Sequence, residues 1–194
     1  MAKSLHNIIC LEAEWEFRKN HNTFTLKTEP LLHWLKEFHD CDVIYRHIVT
    51  KEDLKYYLKY FASHKSKFKK YDIIYISCHG WNHAITLEGK DGEIDLKELA
   101  ELANGFFDDK IIHFGSCKTM ANESETLAFK EETGARMVSG YQVSVDAMTS
   151  SIMDGAYLND VMQYQNVGIM KNKEQSKFWK RYQSLIDDLK FTII

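Results

Sequence analysis

Two short stretches carry residues that can do chemistry together. "YDIIYISCHGW" (71–81) runs apolar until it reaches His79 and Gly80, and "KIIHFGSCKTM" (110–120) does the same until it reaches Cys117. A free thiol, with an ordinary pKa of about 8.5, is mostly protonated at neutral pH. An imidazole beside it takes the proton or holds the thiolate as an ion pair. Gly80 has no side chain, so its N–H can approach a substrate carbonyl, and the N–H of Cys117 lies beside the attacked carbon; the two are candidate oxyanion donors. Nucleophile, base and two donors are the parts that acyl transfer through a cysteine needs. Cysteines and histidines at strand ends are also ordinary half-buried residues, so the chemistry depends on whether the fold brings these together.

The elements that would do so are legible as apolar runs: "SLHNIICL" (4–11), "DVIYRHIV" (42–49), "YDIIYISC" (71–78), "KIIHFGSC" (110–117) and "ARMVSGY" (135–141). Near-continuous Ile, Val and Tyr marks strands covered on both faces, as in a parallel sheet. Helix starts fall between them. Thr28-Glu29-Pro30, Thr50 with Asp53, Asp95 with Glu98, and Asn122 with Glu125 are N-terminal signals, and Gly105 and Gly134 are stops. Strands alternating with helices predict one open α/β domain over 1–194, a mostly parallel sheet with helices on both faces. The stretch "HAITLEGKDGEIDL" (83–96) departs from that pattern and predicts a small β-hairpin turning at Lys90-Asp91-Gly92, directly after His79. Past residue 141, "IMDGAYLNDVMQY" and "NKEQSKFWKRYQSLIDDLK" predict two amphipathic helices. Ligands of such sheets sit at the carboxyl ends of the strands, where His79 and Cys117 fall if their strands are neighbours about 4.8 Å apart.

Composition narrows the function classes. The 194 residues are 44% hydrophobic and 27% charged with a single proline, which describes a well-packed chain. A net charge of -3 and a pI of about 6.3 supply no field to recruit nucleic acid or an anionic membrane. The lysine-rich "HKSKFKKYD" (64–72) reads as a solvated helix end rather than a docking patch. No segment approaches the roughly 18 apolar residues of a membrane span, and the N-terminus lacks a signal peptide, so a cytoplasmic location is expected. Cys10, Cys41, Cys78 and Cys117 are then reduced thiols.

The order of these motifs resembles the caspase-like fold of cysteine peptidases (clan CD), most closely its CHAT branch. There an apolar strand ends in Ser-x-His-Gly, a hairpin with a glycine turn and a helix like "LKEL" follow, and the next strand ends in Cys-x-Thr. The likeness covers roughly residues 70 to 160, including "VSGYQVSVDAMTSSIMDGAYLNDVM". It implies an endopeptidase dyad of His79 as base and Cys117 as nucleophile. Gly80 and Cys117 would be the oxyanion donors, a protein or peptide the substrate, a regulatory protein a further partner, and no metal or cofactor is needed. Tyr141, followed by Gln142, stands where the family commonly carries a Leu-Trp pair and is placed among the substrate contacts. Asp146 falls in the loop where this fold builds subsites; a carboxylate there would favour a basic residue, while a helix cap is the plainer reading.

Other residues were weighed against these. His113 with Cys117 and His79 with His83 have zinc-like spacings, but four residues across strand and loop do not converge ligands, and no metal is expected. Cys78 alternates away from His79 into the core. Tyr56, Tyr57, Tyr60 and Phe61, like Phe178, Trp179 and Tyr182, stand at helical spacing and pack on the sheet or meet a partner. A non-catalytic caspase-like scaffold that binds a protein or peptide is the alternative reading. A small-molecule binder ranks last, because "CLEAEWEF" stands where a glycine-rich phosphate loop would be.

Overall fold

The computed structural model describes residues 4–14, 28–88 and 92–194. Its centre is a six-stranded sheet of β1 (Ile8–Glu12), β2 (Val43–His47), β3 (Ile73–Ser77), then β7 (Ile111–Gly115), β8 (Met137–Tyr141) and β9 (Phe191–Ile193), in the order β2-β1-β3-β7-β8-β9. The first five strands are parallel and β9 runs antiparallel to β8. Between β3 and β7 lies a separate three-stranded antiparallel sheet, β4 (His79–Trp81), β5 (Ala84–Thr86) and β6 (Glu93–Asp95). The helices are α1 (Thr28–His39), α2 (Lys51–Ser63), α3 (Lys65–Phe68), α4 (Leu96–Ala103), α5 (Glu123–Thr133), α6 (Ala147–Val161), α7 (Lys177–Arg181) and α8 (Gln183–Leu189), with a 3-10 turn at Val167–Lys171.

Strand periodicity divides the interior into two cores. Ile9, Leu11, Ile74, Ile76, Ile112, Phe114 and Val138 meet Leu54, Leu58 and Phe61 of α2, Leu99 of α4 and Phe129 of α5. Their neighbours Ile8, Cys10, Ile73, Tyr75, Ile111, Met137 and Tyr141 meet Leu32 and Leu35 of α1, Met153 and Tyr157 of α6, and Phe178 and Trp179 of α7. The sheet is covered on both faces, as a chain of near-continuous apolar strands requires. β2 is an exception: as an edge strand it leaves Arg46 and His47 exposed.

The N-terminal signals act as caps. Thr50 accepts from the N–H of Asp53 and Asp53 accepts from that of Thr50, closing a capping box on α2. Asp95 caps α4, Asn122 caps α5, and Gly134 ends α5 in the left-handed region. Three details differ from the sequence expectation. α4 stops on Asn104 (φ 48°), one residue before Gly105. The expected C-terminal helix is broken at Tyr182 into α7 and α8. The last residues are a strand, β9, paired with β8 from Ser139↔Ile193 to Tyr141↔Phe191.

Candidate active site

β3 and β7 are neighbours, aligned as Ser77↔Gly115, so the segments leaving them start side by side. β3 ends at Ser77, and His79 is therefore the first residue of β4 rather than the last of β3. The predicted hairpin exists as β5 and β6, but its turn residues Lys90 and Asp91 lie outside the described residues. A tighter hairpin precedes it. β4 and β5 are joined by Asn82 and His83 alone, at φ 47° and 70°, the twist that suits a two-residue turn between right-twisted strands.

That turn fixes the direction of the Gly80 N–H. The pair flanking a two-residue turn, Trp81 and Ala84, is joined by the turn's own hydrogen bond. Hydrogen-bonded and unbonded pairs alternate along an antiparallel ladder, so Gly80↔Ile85 is an unbonded pair and the Gly80 N–H points away from β5. The turn that carries Cys117 packs on the Cα of the same residue. A Cβ on Gly80 would lie 2.3 Å from the Cys117 carbonyl oxygen, 2.6 Å from Thr119 Oγ1 and 2.9 Å from Ser116 Cβ. Only glycine lets the two backbones meet this closely.

The turn itself is tightly held. The buried Ser116 and Thr119 hydroxyls bond each other at 2.7 Å. Lys118 is left-handed at φ 52°, with its N–H donated to the Val143 carbonyl and its own carbonyl accepting from His83 N–H. His79 and Trp81, two apart on β4, share one face. That face is opposite the one on which Gly80 meets the Cys117 turn, and the long Lys118 side chain reaches it, its ammonium lying 4.4 Å from the centre of the Trp81 ring. His79 and Trp81 are both exposed.

Among the four thiols, Cys117 alone is not fully buried. Its Sγ accepts from the Val145 N–H at 3.3 Å and donates to the Val145 carbonyl at 3.4 Å. Burial pushes the Cys78 thiol up to about 12 and that of Cys10 well above the ordinary range; Cys41 is raised by the same cause. The three buried thiols are thereby held protonated and inert.

His79, Gly80 and Cys117 are thus brought to one end of the sheet, while the two expected substrate contacts are placed otherwise. Tyr141 is fully buried, its hydroxyl donating to Asp154 with the Ser150 carbonyl oxygen 3.0 Å away, so it faces the core. Asp146 is exposed beside Val145, and its Oδ1 accepts from Met148 and Thr149 N–H at 3.1 and 2.9 Å, capping α6. Those hydrogen bonds hold its carboxyl below the usual carboxylate range. The zinc-like spacings do not converge: His113 is buried between Ser139 and Asp154, and His83 Nδ1 accepts from Asn122 N–H. Among the described residues no cluster of three metal-ligating side chains occurs.

Sequence reasoning missed what lies beneath. Asp154, fully buried, faces His113 Nε2 at 2.9 Å and accepts from the hydroxyls of Tyr75 at 2.6 Å and Tyr141. A Cβ on Gly115 would fall 2.7 Å from Tyr75 Cε2 and 2.9 Å from Asp154 Oδ2, so β7 leaves the sheet flush over this network. A signal for it was present: a histidine and a tyrosine at core positions of strands whose neighbours are isoleucine need a buried polar partner. At the β1/β3 switch point the chain fills its own crevice. Glu12 accepts from Thr28 N–H at 3.0 Å, Thr28 Oγ1 at 2.6 Å and Tyr45 Oη at 2.7 Å.

No helix among the described residues is long and apolar enough to cross a membrane. No curated protein matches the chain. A family model described as a family of unknown function, DUF6642, matches residues 5–194, and the chain belongs to that family.

Proposed function

We propose that the protein is a caspase-like cysteine endopeptidase, acting on a protein or peptide substrate under the control of a partner. Cys117 attacks the scissile carbonyl, His79 takes the thiol proton and returns it to the leaving amine, and water then hydrolyses the acyl-enzyme. The outward N–H of Gly80 and the N–H of Cys117 receive the oxyanion. The observation that carries this reading is the contact of Gly80 with the Cys117 carbonyl, which holds His79 and the thiol on adjoining backbones.

The test is labelling of the native protein with a peptide-linked thiol electrophile, the adduct located by mass spectrometry. Labelling should fall on Cys117, spare Cys10, Cys41 and Cys78, and slow by about a hundredfold in His79→Ala. Labelling of Cys117 at an unchanged rate without His79 would sink the dyad.

One observation favours a second reading, a non-catalytic caspase-like scaffold. The Cys117 sulfur is engaged by both backbone groups of Val145. In a scaffold that engagement is permanent, and the same labelling experiment separates the two.

A further inference from the structure

We infer that Lys118 and Trp81 form a subsite for a carboxylate-bearing residue of the bound peptide, next to the reacting bond. The inference rests on the reading above that this site meets a peptide but not on catalysis, since a scaffold would bind through the same residues.

Four features converge on it. The first is position: Lys118 follows the candidate nucleophile directly and is half-buried, and its ammonium reaches the β4 face that also carries His79. The second is fixity. An L-residue at φ 52° occupies a backbone region that side chains other than glycine rarely adopt. Lys118 is held there by hydrogen bonds on both its N–H and its C=O. The chain adopts this conformation at a residue whose side chain is not part of the core.

The third is a charge without an anionic partner among the described residues. Lys118 has no carboxylate partner among the ion pairs of the described residues; its charge rests on the face of Trp81. An aromatic face attracts the charge but accepts none of the three N–H donors in hydrogen-bond geometry. A carboxylate accepts them directly and binds an ammonium more strongly than a neutral acceptor does. Trp81, itself 58% exposed, then flanks the aliphatic part of the incoming acidic side chain.

The fourth is polarity. Asp146, which follows the Val145 that binds the Cys117 sulfur, carries an exposed carboxylate that its cap hydrogen bonds hold below the usual carboxylate range. A cation on the segment that carries the thiol and an anion on the loop that binds the sulfur give the site two charges of opposite sign. An acidic side chain is drawn toward Lys118 and repelled from the α6 end.

Two measurements test the subsite. The first uses electrophile peptides that differ only in Glu, Gln or Lys next to the reactive group, with Cys117 labelling rates compared in wild type, Lys118→Asn and Lys118→Arg. Asn tolerates the left-handed region, so Lys118→Asn removes the charge without forcing the turn. The Glu probe should outpace the Gln probe by about tenfold in wild type and Lys118→Arg, and by less than about twofold in Lys118→Asn. The second uses the Cys117→Ala chain and follows non-covalent binding of Glu- and Gln-containing peptides by tryptophan fluorescence. Trp81→Phe identifies the Trp81 signal among the four tryptophans. A Glu preference in binding that vanishes in Lys118→Asn supports the subsite even where no probe labels Cys117, an outcome that would remove the protease reading alone. Labelling that depends on His79 but ignores probe charge, or binding without a Glu preference, overturns the subsite and leaves the protease reading standing.

Discussion

At the scale of single residues, the site depends on contacts that a sequence does not display. Gly80 is the sharpest case. A methyl group there meets the Cys117 carbonyl oxygen at 2.3 Å, backbone against backbone, with no flexible side chain to give way. Gly80→Ala should destabilise the fold by about 2 kcal/mol in urea titration, the usual cost of overpacking. It should also slow Cys117 labelling by more than the stability loss explains, and a variant as stable and as reactive as wild type would refute the close contact. Thiol accessibility gives a second check. Because Cys10, Cys41 and Cys78 are buried and raised, a small thiol reagent should modify one cysteine quickly in the native protein and four after unfolding. His79 and Cys117 were legible because each ends an apolar run. Lys118 was not, since nothing in "SCKTM" announces a left-handed lysine or the tryptophan it meets.

At the scale of elements, most signals in the chain were local, and local signals are the readable kind. Thr50 with Asp53 spelled a capping box and formed one, with Asp53 Oδ2 accepting from Thr50 N–H at 2.9 Å. Thr50→Ala should cost about 1 kcal/mol, measured as a shift in urea midpoint. The Asp53 carboxyl is lowered by its hydrogen bonds to Thr50, so its contribution is present above its unfolded pKa and lost as pH falls through the folded one. Asp146 allows cap and charge to be separated. Asparagine caps as well as aspartate, so Asp146→Asn should keep the stability of α6 while Asp146→Ala lowers it. A preference for basic substrates that disappears in Asp146→Asn would give the carboxylate a recognition role as well. Elements that hid did so for physical reasons. The Asn82-His83 turn uses a histidine where glycine is usual, and β9 is a three-residue strand whose partner β8 lies far back in the chain.

At the scale of the whole molecule, long-range polar ties hold the strand ends in place. His6 Nδ1 meets Asp72 Oδ2 at 2.6 Å and its Nε2 meets the Tyr164 carbonyl at 2.7 Å, joining the segments before β1 and β3 to the one after α6. Burial lowers the His6 pKa, but the Asp72 and Tyr164 hydrogen bonds outweigh it and the net shift is upward. The stabilisation is therefore complete below the unfolded pKa and is lost as pH rises through the folded one. Wild type should lose stability relative to His6→Gln as pH rises above the ordinary histidine pKa of about 6.5, and parallel curves would exclude the coupling. The Asp154 network is a stronger tie: Asp154→Ala strands two buried hydroxyls and His113, and should cost about 3 kcal/mol or more in urea titration. The parallel strands were readable because β1, β3, β7 and β8 bury both faces and β2 keeps their apolar start. The network was not, because its members come from β3, β7, β8 and α6 and meet only in three dimensions. The antiparallel β9 has one more consequence, in the order of synthesis. The loop that grips the Cys117 sulfur follows β8, and the outer edge of β8 is paired with residues 191–194. On the ribosome, Cys117 and the Val145 loop that binds its sulfur emerge before β9, so the nascent chain carries β8 with an unpaired edge until that last strand follows.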